Sequence, residues 1–238
     1  VSSMGTVPAG DGLDALLVSL QLTDSAFPSG FYTLSHGLEG FAQAKAIDAE
    51  TLPDLLADLL RHSVGPADAT ALAVARRAAG AGDWELVMEA DRRLHATKLN
   101  RELRLASVRT GRQMLDIARE SVGGAELERF AELVAAKRTP CSQPVAAGVA
   151  YAAAGVPVEQ AVASDLFAFA ASFTGAAMRL RLTDFRKAQV VLRGAAVVIA
   201  EVTRDAVVRE LADLGGCVPA ADVMSGRHER ADARLFAS

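Results

Sequence analysis

Val158-Glu159-Gln160-Ala161-Val162-Ala163-Ser164-Asp165-Leu166-Phe167-Ala168-Phe169-Ala170-Ala171-Ser172-Phe173-Thr174-Gly175-Ala176-Ala177-Met178-Arg179-Leu180-Arg181-Leu182 is apolar around most of its circumference when wound as a helix. Its strictly apolar part, Leu166 to Met178, is shorter than the ~20 residues of a membrane span. The stretch therefore predicts a helix near the centre of an all-α domain, buried on most sides, with Phe167, Phe169 and Phe173 inside. Its Ala171-x-x-x-Gly175 step reads as internal packing between helices.

Helical signals continue in both directions. Downstream, Thr183 and Asp184 restart the chain, and Asp184 to Leu214 reads as a last long helix ahead of Gly215-Gly216. Upstream, Pro144 opens an Ala/Val helix that Gly155 closes. Leu103, Ala106, Thr110, Met114 and Ile117 follow steps of three and four, and Gly123-Gly124 breaks that helix before another runs to Lys137. Asp83 reads as a cap, Gly80 as a helix end, Pro66 as a first-turn residue, and Thr51 with Asp54 as a capping-box-like pair. Further helices are expected over Leu13 to Leu22 and Ser35 to Lys45. The prediction is one all-α domain of about ten helices over 13–215, with a flexible segment at 1–12 and a polar tail at 216–238.

Composition agrees. Apolar residues make up 51% but aromatics only 5%, so Ala, Leu and Val build the core, a mixture suited to close helix packing. A net charge of −4 speaks against a general nucleic-acid binder. Cys141 and Cys217 make no disulfide framework, and Val1 to Gly12 has no signal-peptide pattern. The expectation is a soluble cytoplasmic protein with no membrane partner.

Asp24 to Glu39 concentrates Phe27, Phe31 and Tyr32 around Pro28-Ser29-Gly30. Pro28 sets a turn and Gly30 supplies positive φ, so one helix stops and another begins, with Thr33 or Ser35 as its cap. The aromatics read as plugs for a core. Asp91 to Arg119 is net +5 while the rest of the chain is −9, and Arg101, Arg104 and Arg112 lie close to one helical stripe. Such polarity steers an acidic partner. A nucleic-acid-binding regulator using the basic segment 92–119 is an alternative, weakened by the lack of interleaved aromatics. His36, His62, His95 and His228 have no second ligand at metal-binding spacing. A metal-dependent hydrolase would need His36 with Glu39, three apart on one helix face. In the tail, Leu235 and Phe236 have no apolar stripe to join, so residues beyond Leu214 are expected to stay mobile until a partner orders them.

Three separated segments together resemble the urease accessory protein UreF family. They are Phe27-Pro28-Ser29-Gly30 through Ser35-His36-Gly37-Leu38-Glu39, then Arg101-Glu102-Leu103-Arg104 with Ser107 and Gly111-Arg112, and last Arg227-His228-Glu229 with Arg234-Leu235-Phe236. Leu182-Thr183-Asp184-Phe185, where the family often has a Gly-Gln step, and Ser225-Gly226-Arg227, where Met-Arg is common, depart from its pattern. The resemblance implies a non-catalytic, dimeric helical protein that bridges UreD (also called UreH) and the GTPase UreG during nickel insertion into apo-urease. It implies no stably bound cofactor, nickel being handled transiently by the assembled complex. The tail is implied to dock on UreD and the helical face to receive UreG. The partner-binding residues expected on that basis are Phe27, Pro28, Gly30, Tyr32, Ser35, His36, Glu39, Arg101, Arg104, Arg112, Arg227, His228, Glu229, Arg234, Leu235 and Phe236. No catalytic or metal-ligating residue is expected.

Overall fold

Alanine and glycine, rather than aromatic bulk, set the spacing of this molecule. The structure, a computed structural model, describes residues 12–231 and 234–236, which form helices and connecting loops with no strand among them. The helices are α1 (Leu13–Thr23), α2 (Leu38–Gln43), α3 (Leu52–Leu59), α4 (Thr70–Ala81), α5 (Trp84–Thr97), α6 (Arg101–Ser121), α7 (Ala125–Ala135), α8 (Gln143–Ala153), α9 (Val158–Arg179), α10 (Phe185–Val208) and α11 (Pro219–His228). A π-helical stretch, Leu60–Ala69, joins α3 to α4 as one rod. Pro66 lies inside that stretch instead of opening a helix.

The centre is α8 against α4. Every residue from Gln143 to Ala152 is buried, and α4 presents Ala71, Leu72, Ala73, Ala75, Ala78 and Ala79 to the same core. Short side chains let these axes approach, and α6, α7, α5 and α9 pack around them. The sequence reading placed α9 at the centre. It is instead one layer out, against α10, α1 and α4. Phe173 and Phe169 are buried as expected, but Phe167 is 47% exposed and Met178 38%. A Cβ on Gly175 would meet nothing within 4 Å, so the Ala171-x-x-x-Gly175 step faces outward and is not internal packing. An apolar circumference records how many faces can be buried, not how many neighbours the fold supplies. By length and composition α9 could cross a membrane, and 56% of that window is buried against other helices.

α1 seats Ala15, Val18 and Leu22 against the core and leaves a second apolar face bare. Leu13, Leu16, Leu17 and Leu20 form a helical stripe that faces solvent, each 45–58% exposed, while Ser19 points inward and accepts from Gln160 Nε2 at 3.0 Å.

Helix ends are secured as the residue types dictate. Asp83 accepts from the Leu86 amide, and Asp184 from those of Arg186 and Lys187, both as expected. Thr51 forms no capping box; its hydroxyl and amide donate to Asp48. α4 ends at Gly82 rather than Gly80, and α2 is shorter than 35–45. α10 stops at Val208, where the Arg77 guanidinium binds the carbonyls of Val207 and Arg209. Asp91, fully buried, accepts from Thr139 Oγ1 at 2.5 Å and from the Cys141 and Ser142 amides at 2.6 and 2.9 Å. Its charge sits against the amino end of α8, where the helix dipole favours an anion.

Candidate functional site

The loop after α1 is shaped to deliver one carboxylate. Gly30 at φ 84° turns the chain into a short 3-10 turn, Phe31–Thr33. His36 at φ 55° and Gly37 at φ 84° then set the start of α2, and the Glu39 amide donates to Ser35 Oγ at 3.4 Å. Glu39 lies in the first turn of α2 and is 4% exposed. It does not face water; it faces the carboxyl end of the same chain.

Residues 219–228, expected to lack structure without a partner, form α11 packed on α2. Gly40 makes this approach possible, because a Cβ there would collide with the Met224 carbonyl oxygen. Asn100 Nδ2 adds a bond to the Asp222 carbonyl at 3.3 Å. Glu39 accepts from the amides of Leu235 at 2.7 Å and Phe236 at 3.0 Å, and from Gln43 Nε2 at 3.4 Å. His228, 1% exposed, places Nε2 2.8 Å from Glu39 Oε2 and Nδ1 3.0 Å from Glu102 Oε2. Arg234 Nη1 donates to Glu102 Oε1 at 2.9 Å. Phe236 is 6% exposed, beneath the Arg179 guanidinium at 4.3 Å, which also lies 3.9 Å from the Tyr32 ring centroid and donates to the Tyr32 carbonyl.

The anchor predicted for a partner is thus buried within its own chain. Composition alone makes 216–238 look unable to offset its ordering entropy. The stabilisation comes from two carboxylates, distant in sequence, that each accept several charge-assisted or main-chain hydrogen bonds. Arg234 pairs inside the chain rather than across an interface. Leu235 points outward at 64% exposure, and Arg227 is exposed.

The other expected residues divide. Tyr32 is 61% exposed beside the tail, Pro28 is exposed, and Phe27 packs on the core. Arg104 is not free for a partner, since its Nη1 binds the Lys98 and Leu99 carbonyls at the end of α5. Arg101 and Arg112 are exposed. Arg101, Leu105, Arg109, Glu229 and Arg234 line a cleft of about 560 Å³ between α6 and the tail. Residues that the sequence reading missed are Glu102, legible in the Arg101-Glu102-x-Arg104 segment, and Arg179, which carried no signal.

His36 and Glu39 do not meet, so the pairing weighed for a hydrolase is not formed. His36 lies between Phe31 and Phe169, ring centroids 5.2 and 4.6 Å away, with Nε2 2.9 Å from Ser172 Oγ. Burial, then the Lys98 and Arg179 charges, lower its pKa to about 3, so the ring is neutral. It lines a pocket of about 140 Å³ with Asp165, Phe169, Ser107 and Ser225. Asp165, 8% exposed, is raised to about 6 by burial, although Gln143 Nε2 donates to it at 2.9 Å. Burial also pushes the Cys141 thiol well above the usual range. Among the described residues no group of three or more His, Cys, Asp or Glu is placed to hold a metal ion.

The two buried groups have opposite linkage. His36 binds a proton more weakly folded than unfolded, so stability is lost as pH falls from about 6.5 toward about 3. Asp165 binds one more tightly folded, so stability is present below its unfolded value and lost as pH rises through about 6. Between about pH 4 and 6 the slopes cancel. Asp165→Asn is expected to unmask the His36 slope, up to about 1.4 kcal/mol per pH unit relative to the parent. Urea unfolding of both proteins at pH 4, 5 and 6 checks this; parallel profiles would refute it.

A family model described as UreF matches residues 47–196. The chain is 37% identical over 215 residues to the urease accessory protein UreF of Bradyrhizobium diazoefficiens, covering 90% of this chain and 87% of that one. It is 31% identical over 225 residues to the UreF of Trichodesmium erythraeum, with 93% and 96% covered. It is 30% identical over 225 residues to UreF 2 of Brucella canis, with 94% and 92% covered. The chain belongs to the UreF family of urease accessory proteins.

Proposed function

We propose that this chain is a non-catalytic scaffold in urease maturation that bridges UreD (UreH) and the GTPase UreG and supports GTP-dependent nickel insertion into apo-urease. The observation that carries the reading is the convergence of three separated sequence segments on one buried site at Glu39, Glu102 and His228. Every polar group of that site is engaged in holding a chain segment, and none is presented to a substrate. Around it Tyr32, Leu235 and Arg227 face outward as contacts for the UreD-type partner. Arg101 and Arg112, on the exposed face of α6, supply positive charge for an acidic surface on the GTPase. Nickel is cargo of the assembled complex rather than a resident ion of this subunit. The outward leucines of α1, with Phe167 and Met178 of α9, offer an apolar face to a second copy, in keeping with a cytoplasmic homodimer.

Co-purification with UreD-type and UreG-type proteins from the same organism tests the reading. Deleting residues after Leu214 is expected to leave the helical domain folded and abolish capture of the UreD-type protein. Arg112→Glu is expected to slow association with the GTPase roughly tenfold at low salt, with an unchanged melting temperature. Undiminished capture by the truncated chain would remove the tail from the docking role. A destabilised Arg112 variant with normal association would make that arginine structural.

A further inference from the structure

The pocket of about 140 Å³ that His36 lines lies between α6, α9 and α11, apart from the Glu39 site. Its walls are mostly apolar. Phe31 and Phe169 flank the His36 ring at 5.2 and 4.6 Å between centroids, and Leu34, Leu103 and Ala106 line the same space. An apolar cavity of about 150 Å³ takes up benzene, so this volume suits a single ring or a short alkyl chain.

Two hydroxyls on the lining have no partner within the chain. Ser225 of α11 is 3% exposed, and its Oγ, like the buried Ser107 Oγ of α6, makes no hydrogen bond. Buried hydroxyls are ordinarily bonded, so both are available to a guest. The ionisable groups on the wall give that guest its charge. Lys98 Nζ lies 2.7 Å from Asp68 Oδ1, and those two charges balance. Asp165 receives the Gln143 carboxamide at 2.9 Å, and among the described residues no cation is paired with Asp165 or Asp222. Burial and the nearby Asp68 charge both disfavour the Asp165 carboxylate, so a cation beside it is strongly favoured. The described residues place no three metal-ligating side chains together, and the apolar walls suit a hydrocarbon.

We propose that this pocket binds a small organic cation of the primary-amine class. Its ammonium group is met by Asp165 and the Ser107 and Ser225 hydroxyls, and its hydrocarbon part lies against Phe31 and Phe169. Ala221, Asp222 and Ser225 supply one wall from α11, so the site is complete only while the tail is docked. Binding and docking are therefore linked, and a bound amine holds the tail down by the factor 1 + [L]/Kd. The site belongs to the chain alone and does not rest on the scaffold role proposed above.

Cyclopentylamine, which has as many non-hydrogen atoms as benzene, is the probe, with cyclopentanol and cyclopentanecarboxylate as its neutral and anionic counterparts. The full chain is titrated with each at pH 7.5, above the value of about 6 to which burial raises Asp165, and followed by amide NMR. The amine is expected to bind saturably and at least tenfold tighter than the alcohol, with the carboxylate weakest. In Asp165→Asn, which keeps the shape of the side chain, affinity for the amine is expected to fall at least tenfold and that for the alcohol to stay. Hydrogen exchange of the parent needs no variant. At an amine concentration ten times Kd, exchange over 219–228 is expected to slow about tenfold. Equal affinity for amine and alcohol, preference for the carboxylate, undiminished amine binding by Asp165→Asn, or tail exchange unmoved by saturating amine would each overturn the proposal. Amine binding that never saturates would overturn it too, leaving the pocket to water. None of these outcomes bears on whether the chain bridges UreD-type and UreG-type proteins.

Discussion

Glu39→Ala is expected to free the carboxyl-terminal segment while the rest of the helical domain stays folded. The variant leaves the Leu235 and Phe236 amides and one nitrogen of His228 without an acceptor. Each unsatisfied buried donor costs about 1–3 kcal/mol. With a loss of at least about 3 kcal/mol, detachment is cheaper than staying docked. Hydrogen exchange over 219–236 is expected to rise about 100-fold or more, with α4 and α8 unchanged. Gly40→Ala is expected to reach the same state by a steric route, since its Cβ would collide with main chain of α11, which cannot rotate aside. A tail as protected as in the parent would show that Glu39 is a bystander.

Gly111→Ala is expected to damage the core itself. A Cβ on Gly111 would overlap the Cys141 carbonyl oxygen, 2.7 Å from the Gln143 nitrogen and 2.8 Å from the Ser142 carbonyl carbon. All three are backbone atoms at the start of α8, held there by Asp91. α6 has to withdraw, or the Asp91 cage has to break. Overpacking of a compliant site costs about 1–3 kcal/mol, and here nothing is compliant, so a loss beyond about 3 kcal/mol is expected. For a chain of this size that lowers the melting temperature by roughly 6–12 °C. A melt within a degree or two of the parent would mean that α6 and α8 are not seated as described.

These expectations separate what the chain states locally from what it states only when folded. The all-α class, the caps Asp83 and Asp184, and the stops at Gly123-Gly124 and Gly155 were legible in the sequence. Each follows from periodicity or from a hydrogen bond between near neighbours. The family was legible too, because its marker segments keep their wording and their order.

The depth of each helix was not legible. The apolar stretch Val158 to Leu182 could have filled the centre, but the fold gives that place to the alanines of α4 and α8 and leaves Phe167 and Met178 outside. α1 shows the limit most plainly: it is apolar on two faces, and the structure covers the one with Ala15, Val18 and Leu22 and leaves Leu13, Leu16, Leu17 and Leu20 exposed. Periodicity says that a face is apolar, and only neighbouring elements decide whether anything covers it.

The seating of the tail was not legible for a related reason. Residues 216–238 contain too little apolar surface to order themselves, and by sequence alone they belong to a mobile end. Glu39 and Glu102 lie 189 and 126 residues before His228, so their hydrogen bonds exist only after the domain has assembled. Local sequence determined which segments could be helices and where they stop, because those choices depend on interactions within a turn or two. Tertiary structure alone decided which apolar faces are covered, and that two buried carboxylates hold the carboxyl end in place, because those choices depend on which distant groups the fold brings within a hydrogen bond's length.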